Sequence, residues 1–121
     1  MQLKLVYLDD EPELCHIFVE SFARTEISIQ TFFDPNQAIR AIQSEKPDLL
    51  FLDSKIPGTS GFEVASQLSP SLPKVLLSGE LTKKEYPGFV AVFSKPFDFE
   101  LIESFIEAQF QEKKQKHQDV A

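Results

Sequence analysis

Asp9 and Asp10 are adjacent near the N-terminus, Asp53 lies far downstream, and Ser78 and Lys95 come later still. Each ends an apolar run: LKLVYLDD, DLLFLD, KVLLS and VAVFSK. In an open parallel α/β sheet the carboxyl ends of the strands lie along one edge, and ligands bind there. Dispersed polar groups would then meet in one acidic cup holding carboxylates, a hydroxyl and an ammonium. That set suits a divalent cation together with a phosphoryl group.

The donor types narrow the cation. Mg2+ keeps several waters and is usually held through one or two carboxylates plus phosphate oxygens. Oxygen donors without His or Cys fit Mg2+ or Mn2+ and argue against zinc. Neighbouring residues at a strand end point in different directions, so one of Asp9 and Asp10 can bind a cation directly while the other acts through water. Beside a metal, Asp53 can attack phosphorus and become an aspartyl-phosphate. Charge in that transition state spreads over the phosphoryl oxygens, so positioning and neutralisation do most of the catalysis. The cation and Lys95 would supply countercharge and Ser78 a hydrogen bond. Lys95 precedes Pro96, which keeps it extended and allows a cis peptide bond between them. Singly, each residue has a plainer explanation: a helix N-terminus favoured by acids, a loop cap, a solvated lysine. The joint spacing is what favours the chemistry.

The elements that must position these groups alternate between strand and helix patterns, which argues for βαβ units and a parallel sheet. Leu3 to Leu8 reads as a strand. Pro12 then suits a first helical turn, with Leu14, Ile17, Phe18 and Phe22 recurring at helical steps. Ile27 to Phe32 reads as a more exposed strand. Asp34 can cap a helix that begins at Pro35 and turns Ala38, Ile39 and Ile42 inward. The unbroken apolar run before Asp53 fits a central strand covered on both faces. After a Pro57–Gly58–Gly61 loop, a short helix carries Phe62, Val64, Ala65 and Leu68. Val75 to Leu77 and Val90 to Phe93 complete five strands, and Phe97 to Phe110 forms a last helix with Leu101, Ile102, Phe105 and Ile106 on one side. Between Ser78 and Val90, Pro87 and Gly88 limit any helix to about two turns, so the fourth crossover is expected to be short or irregular. QEKKQKHQDVA is expected to fray as a polar tail over 111–121.

With 121 residues and no internal repeat, the chain reads as one domain. A net charge of -7 disfavours nucleic acid and anionic membranes as partners. Cys15 is the only cysteine, which excludes an intrachain disulfide, and it reads as a buried thiol. No stretch approaches the roughly 18 apolar residues of a membrane span. The N-terminus lacks a signal-peptide pattern, so a cytoplasmic protein is expected. His16 and His117 have no partner motif.

LDDEP, FLDSKIPGTSG, LLSG and FSKPF, in that order, resemble the receiver domain of two-component response regulators, the CheY-like fold. The resemblance covers Leu3 to about Phe110, a receiver domain over 1–110. It implies a doubly wound (βα)5 fold with a five-stranded parallel sheet in the order 2-1-3-4-5. It implies Asp53 as phosphoacceptor, with Asp9, Asp10, Asp53 and the backbone carbonyl of Lys55 around Mg2+. Ser78 matches the switch hydroxyl, Lys95 the phosphoryl-binding lysine, and Pro57 and Gly61 the family's loop residues. Two departures stand out: Val92 occupies the position of the usual aromatic, and the interval from Ser78 to Lys95 is short. Lys55 and Glu80 flank the expected phosphoryl position, where pairing between them would obstruct an attacking water and tune the aspartyl-phosphate lifetime.

The resemblance further implies a regulatory phosphoacceptor rather than a turnover enzyme, with a sensor histidine kinase or histidine phosphotransfer protein upstream. Its downstream protein target is unspecified, and a homodimer is compatible with it. Two rival readings fit the same residues. A degenerate receiver would act as a phosphorylation-independent interaction module. A Mg2+-dependent phosphohydrolase with an aspartyl nucleophile would need an acid/base aspartate where Lys55 stands.

Overall fold

Local chemistry starts the first two helices as the sequence suggests. Pro12 opens the first helix, and Pro35 opens the second, where the Asp34 carboxylate accepts the Gln37 N–H at 2.9 Å. Ser60 caps the third by accepting the Glu63 N–H at 3.1 Å. The computed structural model describes residues 1–83 and 85–120. In chain order its elements are β1 (Leu3–Leu8), α1 (Pro12–Phe22), β2 (Ile27–Phe32), α2 (Pro35–Ser44), β3 (Leu49–Asp53), β4 (Lys55–Ile56), β5 (Thr59–Ser60), α3 (Gly61–Ser66), β6 (Lys74–Ser78), β7 (Ala91–Ser94) and α4 (Phe99–Val120).

Five strands form one parallel sheet in the order β2-β1-β3-β6-β7. This is the 2-1-3-4-5 order expected from the sequence, because β4 and β5 pair only with each other as a small antiparallel hairpin beside the main sheet. Alternation along each strand sends side chains to two separate cores. Leu5, Tyr7, Phe51 and Leu77 face one layer, against Phe18 and Phe22 of α1 and Ile102 and Ile106 of α4. Val6, Leu8, Leu50 and Leu52 face the other, against Ala38 and Ile42 of α2 and Val64 of α3. Each large side chain buried this way contributes about 2 kcal/mol. β3 is the central strand, and all of it is buried.

Several expectations need correction. Ile17 is exposed, because α1 turns Cys15, Phe18 and Phe22 inward instead. Leu101 is exposed too, since α4 starts at Phe99 and buries Ile102, Ile106 and Phe110. Residues 111–120 are helical, since α4 runs on through them. Lys and Gln are good helix formers, and Glu112 pairs with Lys116 one turn on. Lys113 also donates to the Gln2 carbonyl at 2.6 Å and to Asp48 at 2.8 Å, tying the extension to the bottom of the sheet. The crossover between Ser78 and β7 holds no helix among its described residues, in keeping with its Pro and Gly content. Lys84 of that crossover and Ala121 of the expected tail lie outside the described residues. No helix among the described residues is long and apolar enough to cross a membrane.

Candidate functional site

Strand alternation places the charged groups. Asp9 continues the series Leu5, Tyr7 on β1, and Asp53 continues Leu49, Phe51 on β3, so both leave the sheet on the α1/α4 side. Lys95 follows Phe93 in the same way beyond β7, and its N–H extends the ladder to the Ser78 carbonyl at 3.0 Å. The Lys95–Pro96 peptide is cis. The carboxyl edge of the sheet therefore carries Asp9, Asp10, Asp53, Ser78 and Lys95 together.

A cavity of about 650 Å³ opens at that edge, lined among others by Asp10, Glu11, Asp53, Lys55, Glu80 and Lys95. Carboxylate oxygens of Asp9, Asp10 and Asp53 lie within 4.8 Å of one another. All three donors are hard oxygens, which fits Mg2+ or Mn2+. Their surroundings differ. Asp10 is exposed, Asp53 is 7% exposed, and Asp9 is wholly buried behind them. The Lys95 ammonium bridges the two buried acids, 2.8 Å from Asp9 Oδ2 and 3.1 Å from Asp53 Oδ2. Asp53 Oδ1 also accepts the Lys55 N–H at 3.3 Å, and Asp9 Oδ1 the Glu11 N–H at 3.0 Å.

Burial raises the pKa of Asp53, and the nearby charge of Asp9 adds to this while Lys95 pulls against it. For Lys95, burial works to lower the pKa, but hydrogen bonds and charge from Asp9 and Asp53 outweigh it and the net shift is upward. Cys15 is buried and leans on the Asp9 carbonyl at 3.5 Å. Burial first, then the charge of Asp9, pushes its thiol up to about 11, so it is inert at neutral pH.

Lys55 and Glu80 face each other across the cavity mouth, with Nζ to Oε1 at 2.6 Å. Gly61 packs so tightly under Asp53 that an added Cβ would collide with the Asp53 carbonyl oxygen. Val92 does not reach this cavity. It lines another, with Tyr86 and Phe89 under the fourth crossover, while Phe93 faces the opposite side of the sheet against Phe105 at 5.6 Å.

Two site residues were not singled out from the sequence. Ser54 Oγ donates to Ser78 Oγ at 2.8 Å, and the same serine oxygen accepts the Glu80 N–H at 3.1 Å. Both lone pairs of Ser78 are thereby engaged, leaving its own proton available to a ligand. Tyr7 donates to Asp9 Oδ2 at 2.7 Å. Its spacing of two from Asp9 on a strand was the available signal.

The fold and this carboxyl-edge cup define the class. The chain belongs to the response regulator receiver domain family, whose model matches residues 5–107. Among its relatives, the regulatory protein VanRc of Enterococcus gallinarum is 34% identical over 68 residues, covering 56% of this chain and 29% of that protein. The alkaline phosphatase synthesis transcriptional regulatory protein PhoP of Bacillus subtilis is 32% identical over 68 residues, 56% of this chain and 28% of that protein. The matched stretch is thus less than a third of either relative's length. Two solved structures share the fold. The chemotaxis protein CheY4 of Vibrio cholerae has a TM-score of 0.78 at 18% identity, covering 89% of this chain and 98% of that one. The response regulator TrrA of Thermotoga maritima, solved with Mg2+ and beryllofluoride, has a TM-score of 0.79 at 23% identity, covering 90% of this chain and 99% of that one.

Proposed function

We propose that this receiver domain takes a phosphoryl group from a phosphohistidine onto Asp53. An Asp53 oxygen forms the new bond to phosphorus as the phosphorus–nitrogen bond breaks, and its electron pair returns to the imidazole. Asp10, Asp53 and the Lys55 backbone carbonyl are the residues that would hold Mg2+, with Mn2+ as a substitute. Asp9 would act through water, since both its oxygens already accept hydrogen bonds from protein donors. When bound, the cation neutralises charge on the transferring group. Lys95 stands ready to bind a second phosphoryl oxygen and Ser78 to donate to a third.

The observation that carries this reading is the Lys95 ammonium held between Asp9 and Asp53 at the floor of an open acidic cavity. The complex of TrrA with Mg2+ and beryllofluoride supports the same chemistry here. The added charge would bias Ser78 and the crossover after it between two arrangements and so alter partner binding. A histidine kinase or phosphotransfer protein is the inferred donor, a further protein the inferred target, and the cytoplasm the inferred location.

The test is to add Mg2+ with acetyl phosphate or beryllofluoride to the whole chain. One phosphoryl per chain on Asp53, or one equivalent of beryllofluoride, is expected, and Asp53→Asn is expected to lose both. Labelling that survives in Asp53→Asn would refute the assignment.

A further inference from the structure

We propose that Tyr7 is a positioning residue that holds Asp9 off the metal and divides Lys95 between Asp9 and Asp53. The inference rests on the reading of the site given above. Tyr7 is wholly buried near the carboxyl end of β1, and its hydroxyl donates to Asp9 Oδ2 at 2.7 Å. The same oxygen is the one that receives Lys95 at 2.8 Å, and Asp9 Oδ1 is taken by the Glu11 N–H. Every oxygen of this fully buried carboxylate is therefore committed to the protein. An aliphatic residue at position 7 would fill the same core but leave Oδ2 with Lys95 as its one donor.

The ring cannot readily turn away. Tyr7 packs on Phe18 with centroids 4.4 Å apart and meets the edge of Phe97 at 6.2 Å. Phe97 lies two residues beyond Lys95, so one aromatic contact links the strand carrying Asp9 to the segment carrying the ammonium.

The consequence is a competition. Lys95 has to neutralise Asp9 and also meet Asp53 or a phosphoryl group there. A second donor on Asp9 Oδ2 weakens the hold of Asp9 on Lys95 and frees the ammonium toward Asp53. It also quenches Asp9 as a ligand, leaving the cation to Asp10 and Asp53. Losing the hydroxyl should therefore push two affinities in opposite directions, which loss of packing alone would not do.

The experiment compares wild type with Tyr7→Phe by calorimetric titration of Mg2+ alone, then of beryllofluoride at saturating Mg2+. Tyr7→Phe is expected to bind Mg2+ more tightly and beryllofluoride more weakly, each by about fivefold. Two unchanged affinities, or two that weaken together, would overturn the proposal. Should Tyr7→Phe fail to fold, 3-fluorotyrosine in a Tyr86→Phe background labels position 7 alone with a stronger donor. Opposite shifts are then expected, weaker for Mg2+ and tighter for beryllofluoride, and no shift overturns the proposal. Wild type that binds neither probe would overturn the site itself. Wild type that binds both, with Tyr7→Phe unchanged, removes Tyr7 alone.

Discussion

Lys95 Nζ and Asp53 Oδ2 stand 3.1 Å apart, and the same ammonium is 2.8 Å from Asp9 Oδ2, so two buried carboxylates share one cation. Removing one partner of a buried charge pair leaves the other uncompensated. Lys95→Ala is expected to lose about 3 kcal/mol of unfolding free energy, measured by urea denaturation in EDTA. Millimolar Mg2+ should recover more stability in the variant than it adds to wild type, because a bound cation replaces the lost charge. Equal Mg2+ effects in the two proteins would show that Lys95 does not balance the acidic cluster.

The raised pKa of Asp53 makes stability depend on pH. The folded protein holds this proton more tightly than the unfolded chain, so the group costs stability as pH rises from the ordinary carboxylate range through the raised value. Asp53→Asn removes that cost. In metal-free buffer its stability relative to wild type should therefore grow as pH rises through the ordinary carboxylate range and beyond it. A gap that stays constant with pH would contradict the burial argument.

Gly61 and Gly58 separate close packing from backbone conformation. A Cβ at Gly61 meets the Asp53 carbonyl, and the Gly61 N–H is already bonded to the Ser54 carbonyl at 3.0 Å, so neither backbone can give way easily. Gly61→Ala is expected to cost about 2 kcal/mol and to weaken Mg2+ binding by displacing Asp53. Gly58 has a φ of 80° with open space around it. Gly58→Ala should cost about 1 kcal/mol through backbone strain alone and leave Mg2+ affinity unchanged. Thermal unfolding with and without Mg2+ distinguishes the two.

The ion pair of Lys55 and Glu80 is solvent-exposed on both sides, at 71% and 69%. Such pairs add little stability, so Lys55→Ala and Glu80→Ala should each change it by only ~0.5 kcal/mol. Their position across the cavity mouth predicts an effect on water access instead. Both variants are expected to shorten the aspartyl-phosphate lifetime, followed by release of labelled phosphate. Unchanged lifetimes would reduce the pair to two solvated charges.

Much of the fold was legible because a parallel sheet covered on both faces demands unbroken apolar strands, and DLLFLD and KVLLS are such runs. The site was legible because strand ends in such a sheet converge, which brought Asp9, Asp10, Asp53, Ser78 and Lys95 to one edge. The short fourth crossover followed from Pro87 and Gly88. Less was legible where helix patterns allow two adjacent faces. Leu14, Ile17 and Phe18 fit one stripe as well as Cys15, Phe18 and Phe22 fit another, and only the position of the sheet chose the second. Leu101 was misplaced for the same reason.

By itself the sequence determined the five strands of the main sheet, the residues at their ends and the oxygen-only metal donors of the cup, because these depend on local pattern and strand periodicity. Tertiary structure alone decided how those residues divide their partners. Tyr7 and Lys95 share one oxygen of Asp9 because the carboxyl ends of β1 and β7 lie on the same edge of one sheet, a separation of 86 residues between Asp9 and Lys95 that no local rule spans. The anchoring of residues 111–120 had the same origin: Lys113 finds Gln2 and Asp48 only once the last helix lies against the base of the sheet.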